Sequence, residues 1–451
     1  MTVLPILKSA TLAAVLLAST AVFASARDVT IKVWAGGTGP TADYRIDNIK
    51  MAADLMQREA AVRGEELKIT VEGQTWAGWD DFKQAVTLAA ESKTAPNIIV
   101  SGHEDIGTWS KSGLLRPVED YVDLEAWPLS QIYPNLLEVA TFDGRLWGIP
   151  QDAEARPFFF SKPHLKAIGY TDGQIEALPA KVESGEYTLY TMLDDVKKMQ
   201  DQGVVEKGKG FMPRPSNGTD YWQFYQSFGG EMTDKDSGKL LLDRQALTDM
   251  YQFFVDAVDK GVVPSTYLGM AWDTWHDAVA HDKAGAWHGG TWHKAEWESK
   301  WGLKDFFGQI QYSLIPAGNE RGHANSVTHP LVYLLSTAGT DDDAAISAEL
   351  ISIASEPRLN ALHAVKSGHL AIGEAEASVP LYANDRWATL ATKDLLPHTN
   401  SIPNDPDFGL YWKAMYKGLE ASWTKTSSVA DAVKAVETEV RNALGDKIVI
   451  R

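Results

Sequence analysis

The chain is predicted to be α/β, built on mainly parallel strands with helices on both sheet faces. Three observations lead there. Short runs of alternating apolar residues are separated by longer stretches whose apolar positions recur at three and four. The opening units read strand, helix, strand, the order of a right-handed parallel crossover. A length of 451 residues with 44% hydrophobic composition allows about two or three domains and a large core.

Residues 1–26 come before the first of these units. Lys8 precedes an apolar stretch from Thr11 to Phe23, and Ala24-Ser25-Ala26 follow it. This is the three-part pattern of a secretory leader cleaved before Arg27. The apolar run is short for a membrane span of about 20 residues. The leader holds no Cys for a lipid anchor, so an exported, unanchored protein is expected, in the periplasm of a two-membrane bacterium.

Val29, Ile31 and Val33 alternate with polar residues as in a half-buried strand. After the turn Gly36-Gly37-Thr38-Gly39-Pro40, the apolar positions Ile46, Ile49, Ala53, Met56 and Ala60 predict a helix from Thr41 to Arg63, stopped by Gly64. Leu67, Ile69 and Val71 give the second strand, Asp81–Ser92 a helix and Asn97–Val100 a third strand. Further along, Phe158-Phe159-Phe160 reads as a buried strand, Leu247–Lys260 as a helix and Val332–Ser336 as a strand. Thr340 opens a helix with Asp341, Asp342 and Asp343 in its first turn, where acids suit the dipole. Ser428 and Asp431 form a capping box for a last helix striped by Val429, Val433, Val436 and Val440. No flexible tether divides the chain, so a second domain must be wound into the first by several crossings.

Composition excludes several functions. With no cysteine there is no disulfide, thiolate metal site or Cys nucleophile. A formal charge of −18 lacks the basic footprint of a nucleic-acid partner. The glycine turn lacks the Lys of a phosphate loop. The pairs His276/His281, His288/His293 and His323/His329 match no metal spacing, and no metal or cofactor is expected. No G-x-S-x-G elbow occurs. Carboxylates such as Asp152, Glu154 and Asp220 could serve glycoside chemistry, which depends on a separation that sequence does not give.

Tryptophan is the unusual feature: its 16 residues outnumber the 15 Tyr and 14 Phe. Trp272, Trp275, Trp287, Trp292, Trp297 and Trp301 fall together with four His, and Trp76 and Trp79 bracket Gly78. Indoles pack cores, but several of these sit beside Gly, Thr, Asp and His. Flat apolar rings among polar side chains suit the C–H face and hydroxyls of a sugar.

Several segments resemble the bacterial extracellular solute-binding proteins of family 1, the sugar-capturing components of ABC importers. They are Thr94-Ala95-Pro96-Asn97-Ile98-Ile99-Val100 with Ser112-Gly113-Leu114-Leu115-Arg116-Pro117, Asp143-Gly144-Arg145-Leu146-Trp147-Gly148-Ile149-Pro150, Phe159-Phe160-Ser161-Lys162, Gly285–Trp292 and Ser355-Glu356-Pro357-Arg358. Asn97 stands where that family usually has Asp. The resemblance spans essentially residues 27–451 and implies a two-lobed periplasmic-binding-protein fold of type II. Lobe 1 would comprise 27–152 plus about 318–368, and lobe 2 about 153–317 plus 369–451. It also implies a sugar held between the lobes, an ABC permease as partner, a monomer and no catalysis. The implied ligand residues are Gly37, Trp76, Trp79, Asp80, His103, Glu104, Asp152 and Glu154 on the first side. On the second they are Asp220, Tyr221, Trp222, Gly290, Trp292 as stacking platform, and Tyr411 or Trp412. Arg156, Arg214 and Arg321 leave open an anionic sugar. A secreted glycoside hydrolase or lyase is the alternative reading.

Overall fold

The first strand runs from Arg27 to Gly36 in a computed structural model that describes residues 27–37, 40–76, 78–218 and 220–451. The leader 1–26 lies outside the described residues, as do Thr38 and Gly39 of the glycine turn. Val29, Ile31 and Val33 are buried while Asp28, Thr30 and Lys32 face out, as the alternation requires. The helix Pro40–Val62 buries Ile46, Ile49, Ala53, Met56 and Ala60 against the sheet, and Gly64 follows at φ 78°. The chain returns as Leu67–Trp76, parallel to the first strand with Ile31 opposite Val71.

The larger sheet has the order Leu67–Trp76, Arg27–Gly36, Ile98–Gly102, Leu331–Ser336, Leu115–Arg116, and Gly148–Pro150 also joins Leu331–Ser336. Leu331–Ser336 is antiparallel to its three neighbours, so the remaining strands share one direction. The smaller sheet follows the same plan. Its order is Ile310–Ser313, Phe158–Ser161, Ala286–His288, Phe211–Met212, and Phe158–Ser161 is the reversed strand. Each mainly parallel sheet therefore contains one strand that arrives from the other half of the chain. The architecture is two α/β bodies, with crossings near 150–158, 313–331 and after 368.

The predicted helices are present with shifted ends. Arg244–Asp259 is capped by Asp243, Asp341–Ala354 by the Thr340/Asp343 box and Val429–Leu444 by Ser428. The last helix buries Val433, Val436 and Val440. Residues just after 368, expected with the second lobe, first stay with the larger sheet. Tyr133 N–H donates to Ile372 O at 2.8 Å, and the short helices Glu374–Ala377 and Pro380–Ala383 pack on Pro357–Ser367. Trp387 then packs on Phe306 and donates its Nε1–H to Thr291 O, contacts with the second body. Among the described residues no helix is long and apolar enough to cross a membrane.

Candidate functional site

The first crossing, Pro150-Gln151-Asp152-Ala153-Glu154-Ala155-Arg156-Pro157, is fully buried. In extended chain, alternate residues share a side. Ala153 exchanges backbone hydrogen bonds with Leu370, leaving Asp152, Glu154 and Arg156 as a charged row between the two bodies. Buried charges persist only when paired, and these are. Arg156 donates from Nη2 to Glu154 at 2.5 Å and from Nη1 to Asp220 at 2.6 Å. Arg214 Nη1 donates to the other Asp220 oxygen at 2.7 Å. Asp220 opens the helix Asp220–Ser227, so the amide dipoles there also favour its charge.

The two carboxyls respond differently. Burial alone would raise Asp220, but the guanidiniums of Arg156 and Arg214 outweigh it and hold the group far below the carboxylate range. Glu154 has one guanidinium and feels Asp152 nearby, so burial prevails and its carboxyl is raised.

Toward the larger sheet the row continues through His329, whose Nδ1 lies 4.0 Å from Glu154 and whose Nε2 lies 2.5 Å from Glu104. Lys83 bridges Glu104 at 2.7 Å and Asp105 at 2.8 Å. Burial would depress the His329 imidazole, but the Glu104 carboxylate overcomes it and raises it above its ordinary value. Glu104 is held well below its own value by His329 and Lys83 in spite of burial. The sign for stability follows. The His329 contribution is complete below the unfolded imidazole pKa and is lost as pH rises through the raised folded value. The Glu104 contribution is present above the unfolded carboxyl pKa and is lost as pH falls through the lowered one. Stability from this pair should be greatest in mildly acidic solution and decline toward alkaline pH. Urea midpoints across pH test this, and His329→Gln should flatten the alkaline limb; an unchanged limb in that variant would discard the assignment.

An indole lies at each end of the row, resting on a glycine. The Trp292 ring covers Gly290 so closely that a methyl there would clash with it, and Trp79 covers Gly36 in the same way. Arg156 and Arg214 stand over Trp292 at 5.2 and 5.8 Å from its centroid, and His369 stacks on it at 5.7 Å and 12°. Arg45 stands over Trp79 at 5.5 Å and feels the charges of Asp152 and Glu154. Trp79 is 38% exposed, an unusual position for an indole.

The other expected residues are distributed unevenly. Gly37, at φ 88°, lies against Arg45. Trp76 packs with Trp34 and Phe82 behind Trp79, and Asp80 is exposed at the start of the helix Trp79–Glu91. His103 is buried, its ring nitrogens facing Pro330 O and Ile402 O, and burial lowers it to about 4. Tyr221 is buried and donates to Arg214 O at 2.6 Å, which steadies the segment carrying Arg214. Trp222 is 3% exposed, and its Nε1 finds no partner among the described residues. Trp412 donates to Asn217 Oδ1 at 2.9 Å. Tyr411 is fully buried and donates to Leu241 O at 2.6 Å, away from the charged row. Tyr411→Phe should therefore cost about 1 kcal/mol of stability and leave ligand affinity unchanged; a tenfold affinity loss would put the ring at the ligand. Of the six clustered tryptophans, Trp275, Trp287 and Trp297 are core residues. Arg321 pairs with Asp243 instead of joining the row.

Arg45, Lys83, His363 and His369 were not singled out from sequence. Nothing local marks them, because each reaches the row only through the tertiary fold.

The chain matches the family described as bacterial extracellular solute-binding protein over residues 57–346, more than half its length. It belongs to that family. This solute-binding protein is also 21% identical over 185 residues to a maltotriose-binding protein of Pyrococcus abyssi, a match covering 41% of this chain and 36% of that relative. Its fold is similar to that of maltose-bound T. maritima MalE3, with TM-score 0.75 and 16% identity over 92% of this chain and 100% of the other. The GacH receptor of Streptomyces glaucescens, studied unliganded and with acarbose, gives 0.74 at 15% identity, over 93% and 99%. A Thermotoga lettingae solute-binding protein bound with α-D-tagatose gives 0.71 at 18% identity, over 91% and 98%. These similarities establish the two-lobed type II binding-protein fold.

Proposed function

We propose that this protein is the capturing component of a carbohydrate ABC importer. It would hold an uncharged mono- to oligosaccharide or glycoside between its lobes and hand it unchanged to a membrane permease. The observation that carries this reading is the pair of glycine-seated indoles, Trp79 and Trp292, at opposite ends of one polar row. Rings of this kind offer apolar faces to a pyranose, and the carboxylates and guanidiniums between them bond hydroxyls. Relatives of the same fold hold maltose, acarbose and tagatose.

The charge balance favours a neutral ligand over an anionic one. Arg156 and Arg214 are matched by Glu154 and Asp220, so a sugar acid would compete with carboxylates already seated. We assign lobe 1 to 27–152 with about 318–368, extended by the returning segment to about 383, and lobe 2 to the remainder. Rotation about the crossings would close the lobes on the sugar, which binds both walls only in the closed state. We take residues 1–26 as an export leader and the working form as a periplasmic monomer.

Calorimetry against neutral saccharides and uronates tests this reading. A neutral sugar should bind tightly with little change in 0.5 M salt. Binding confined to uronates and lost in salt would reverse the charge assignment. Turnover of a chromogenic glycoside would replace the transport reading with a hydrolase.

A further inference from the structure

Among the described residues, three groups of His and carboxylate side chains lie close enough to share an ion: His103/Glu104/His329, His276/His293/Glu296 and Asp152/His363/His369. Two are already satisfied without one. In the first, Lys83 supplies the cation for Glu104, and His103 faces two backbone carbonyls. In the second, Trp297 Nε1–H donates to His276 Nδ1 at 3.1 Å and Gly290 N–H donates to His293 Nδ1 at 2.9 Å. Neutral rings that accept at Nδ1 carry their proton on Nε2, so neither offers a lone pair toward Glu296.

The third group is different. Its three side chains are fully buried at the hinge, where Asp152 lies on the first crossing and His369 adjoins the Ala153–Leu370 pairing of the last. Asp152 Oδ2 lies 3.4 Å from His363 Nε2 and 3.7 Å from His369 Nε2, and its Oδ1 accepts Leu331 N–H at 3.0 Å. The decisive contact is Ser367. Its hydroxyl donates its only proton to His363 O at 2.7 Å, and the same oxygen lies 2.7 Å from His369 Nδ1. His369 must then donate from Nδ1, which leaves the Nε2 of a neutral ring as a lone pair facing a carboxylate oxygen. The 3.4 and 3.7 Å separations are longer than a well-formed hydrogen bond and are those of neighbouring ligands on one metal ion.

We propose that Asp152, His363 and His369 form a divalent-metal site, best suited to Zn²⁺, that fastens the first crossing to the returning segment 363–369 beside the hinge. Zinc takes nitrogen and oxygen ligands at about 2.0–2.2 Å in tetrahedral array, so ligand atoms about 3.4 Å apart are what it requires. Two imidazoles and one carboxylate are a borderline donor set that suits zinc over calcium or magnesium. Ser367 holds the tautomer of His369, as an outer partner of a metal-binding histidine does.

The test uses the full chain, stripped with chelator, re-equilibrated with Zn²⁺ alone and gel-filtered before metal analysis. One zinc per chain is expected, and Co²⁺ in its place should give the intense visible bands of a tetrahedral site. Asp152→Asn and His369→Gln should each abolish retention. Ser367→Ala should weaken binding about tenfold, and His329→Gln should leave it intact. Circular dichroism and a cooperative urea transition establish that each variant is folded. If a variant does not fold, the cobalt spectrum of the unaltered chain decides. No retained zinc, zinc retained equally by His369→Gln, or an octahedral cobalt spectrum would each overturn the site.

Discussion

Arg156→Met is expected to be the most damaging single substitution in this protein. Arg156 donates to both Glu154 and Asp220 inside a buried crossing, and methionine fills similar volume without the charge. Removing one partner from a buried ionic pair leaves the others uncompensated, which costs about 3–5 kcal/mol. Arg214 still holds one oxygen of Asp220, so Glu154 should suffer most. Its carboxyl, already raised by burial, would rise further and take up a proton on folding. The stability deficit should therefore be full near neutral pH and shrink as pH falls through the new Glu154 value, because the unfolded carboxyl still ionises there. Denaturant melts at several pH values measure this. A loss under 1 kcal/mol at neutral pH, or one independent of pH, would show that the row does not depend on Arg156.

Trp292→Ala is expected to have the largest effect on affinity with the smallest effect on folding. The ring is half-buried and rests on the Gly290 backbone, under two guanidiniums and beside His369. Truncating a central aromatic contact costs about 2 kcal/mol or more of binding, which is about thirtyfold in Kd. Trp292→Phe keeps a flat face and should recover part of the loss. Calorimetry with the best saccharide measures both. An alanine variant within twofold of the parent would remove Trp292 as a platform.

Much of the scaffold could be read directly from residue patterns. The alternation at Val29–Val33, the helical recurrence from Ile46 to Ala60 and the Thr340 cap each depend on neighbours a few residues away, where backbone geometry is local. Strand direction in the two sheets was less legible. Leu331–Ser336 and Phe158–Ser161 are reversed because the chain enters each body from the other, a fact of topology and not of composition. Tryptophan placement shows the limit most clearly. Trp287 and Trp292 are five residues apart in similar company, yet one stacks on Phe159 in the core and the other covers Gly290 at the interface. An indole beside polar neighbours can pack either way, and only the tertiary fold decides. The arginines misled for a related reason. A guanidinium in sequence shows its charge but not its carboxylate, and Asp220 reaches Arg156 from a helix 64 residues further on.

The surroundings of Trp292 have an optical consequence. Nearby cations shift and quench indole emission, and this ring has two guanidiniums over it and an imidazole stacked beside it. Trp275, Trp287 and Trp297, sealed in the interior, supply a steady background of fluorescence. Anything that parts Arg156 from the ring should alter the emission of Trp292 above that background, and movement of Arg214 should alter Trp272 as well. On the proposed binding site, the difference spectrum between parent and Trp292→Phe would isolate this ring as a label-free reporter of cleft occupancy.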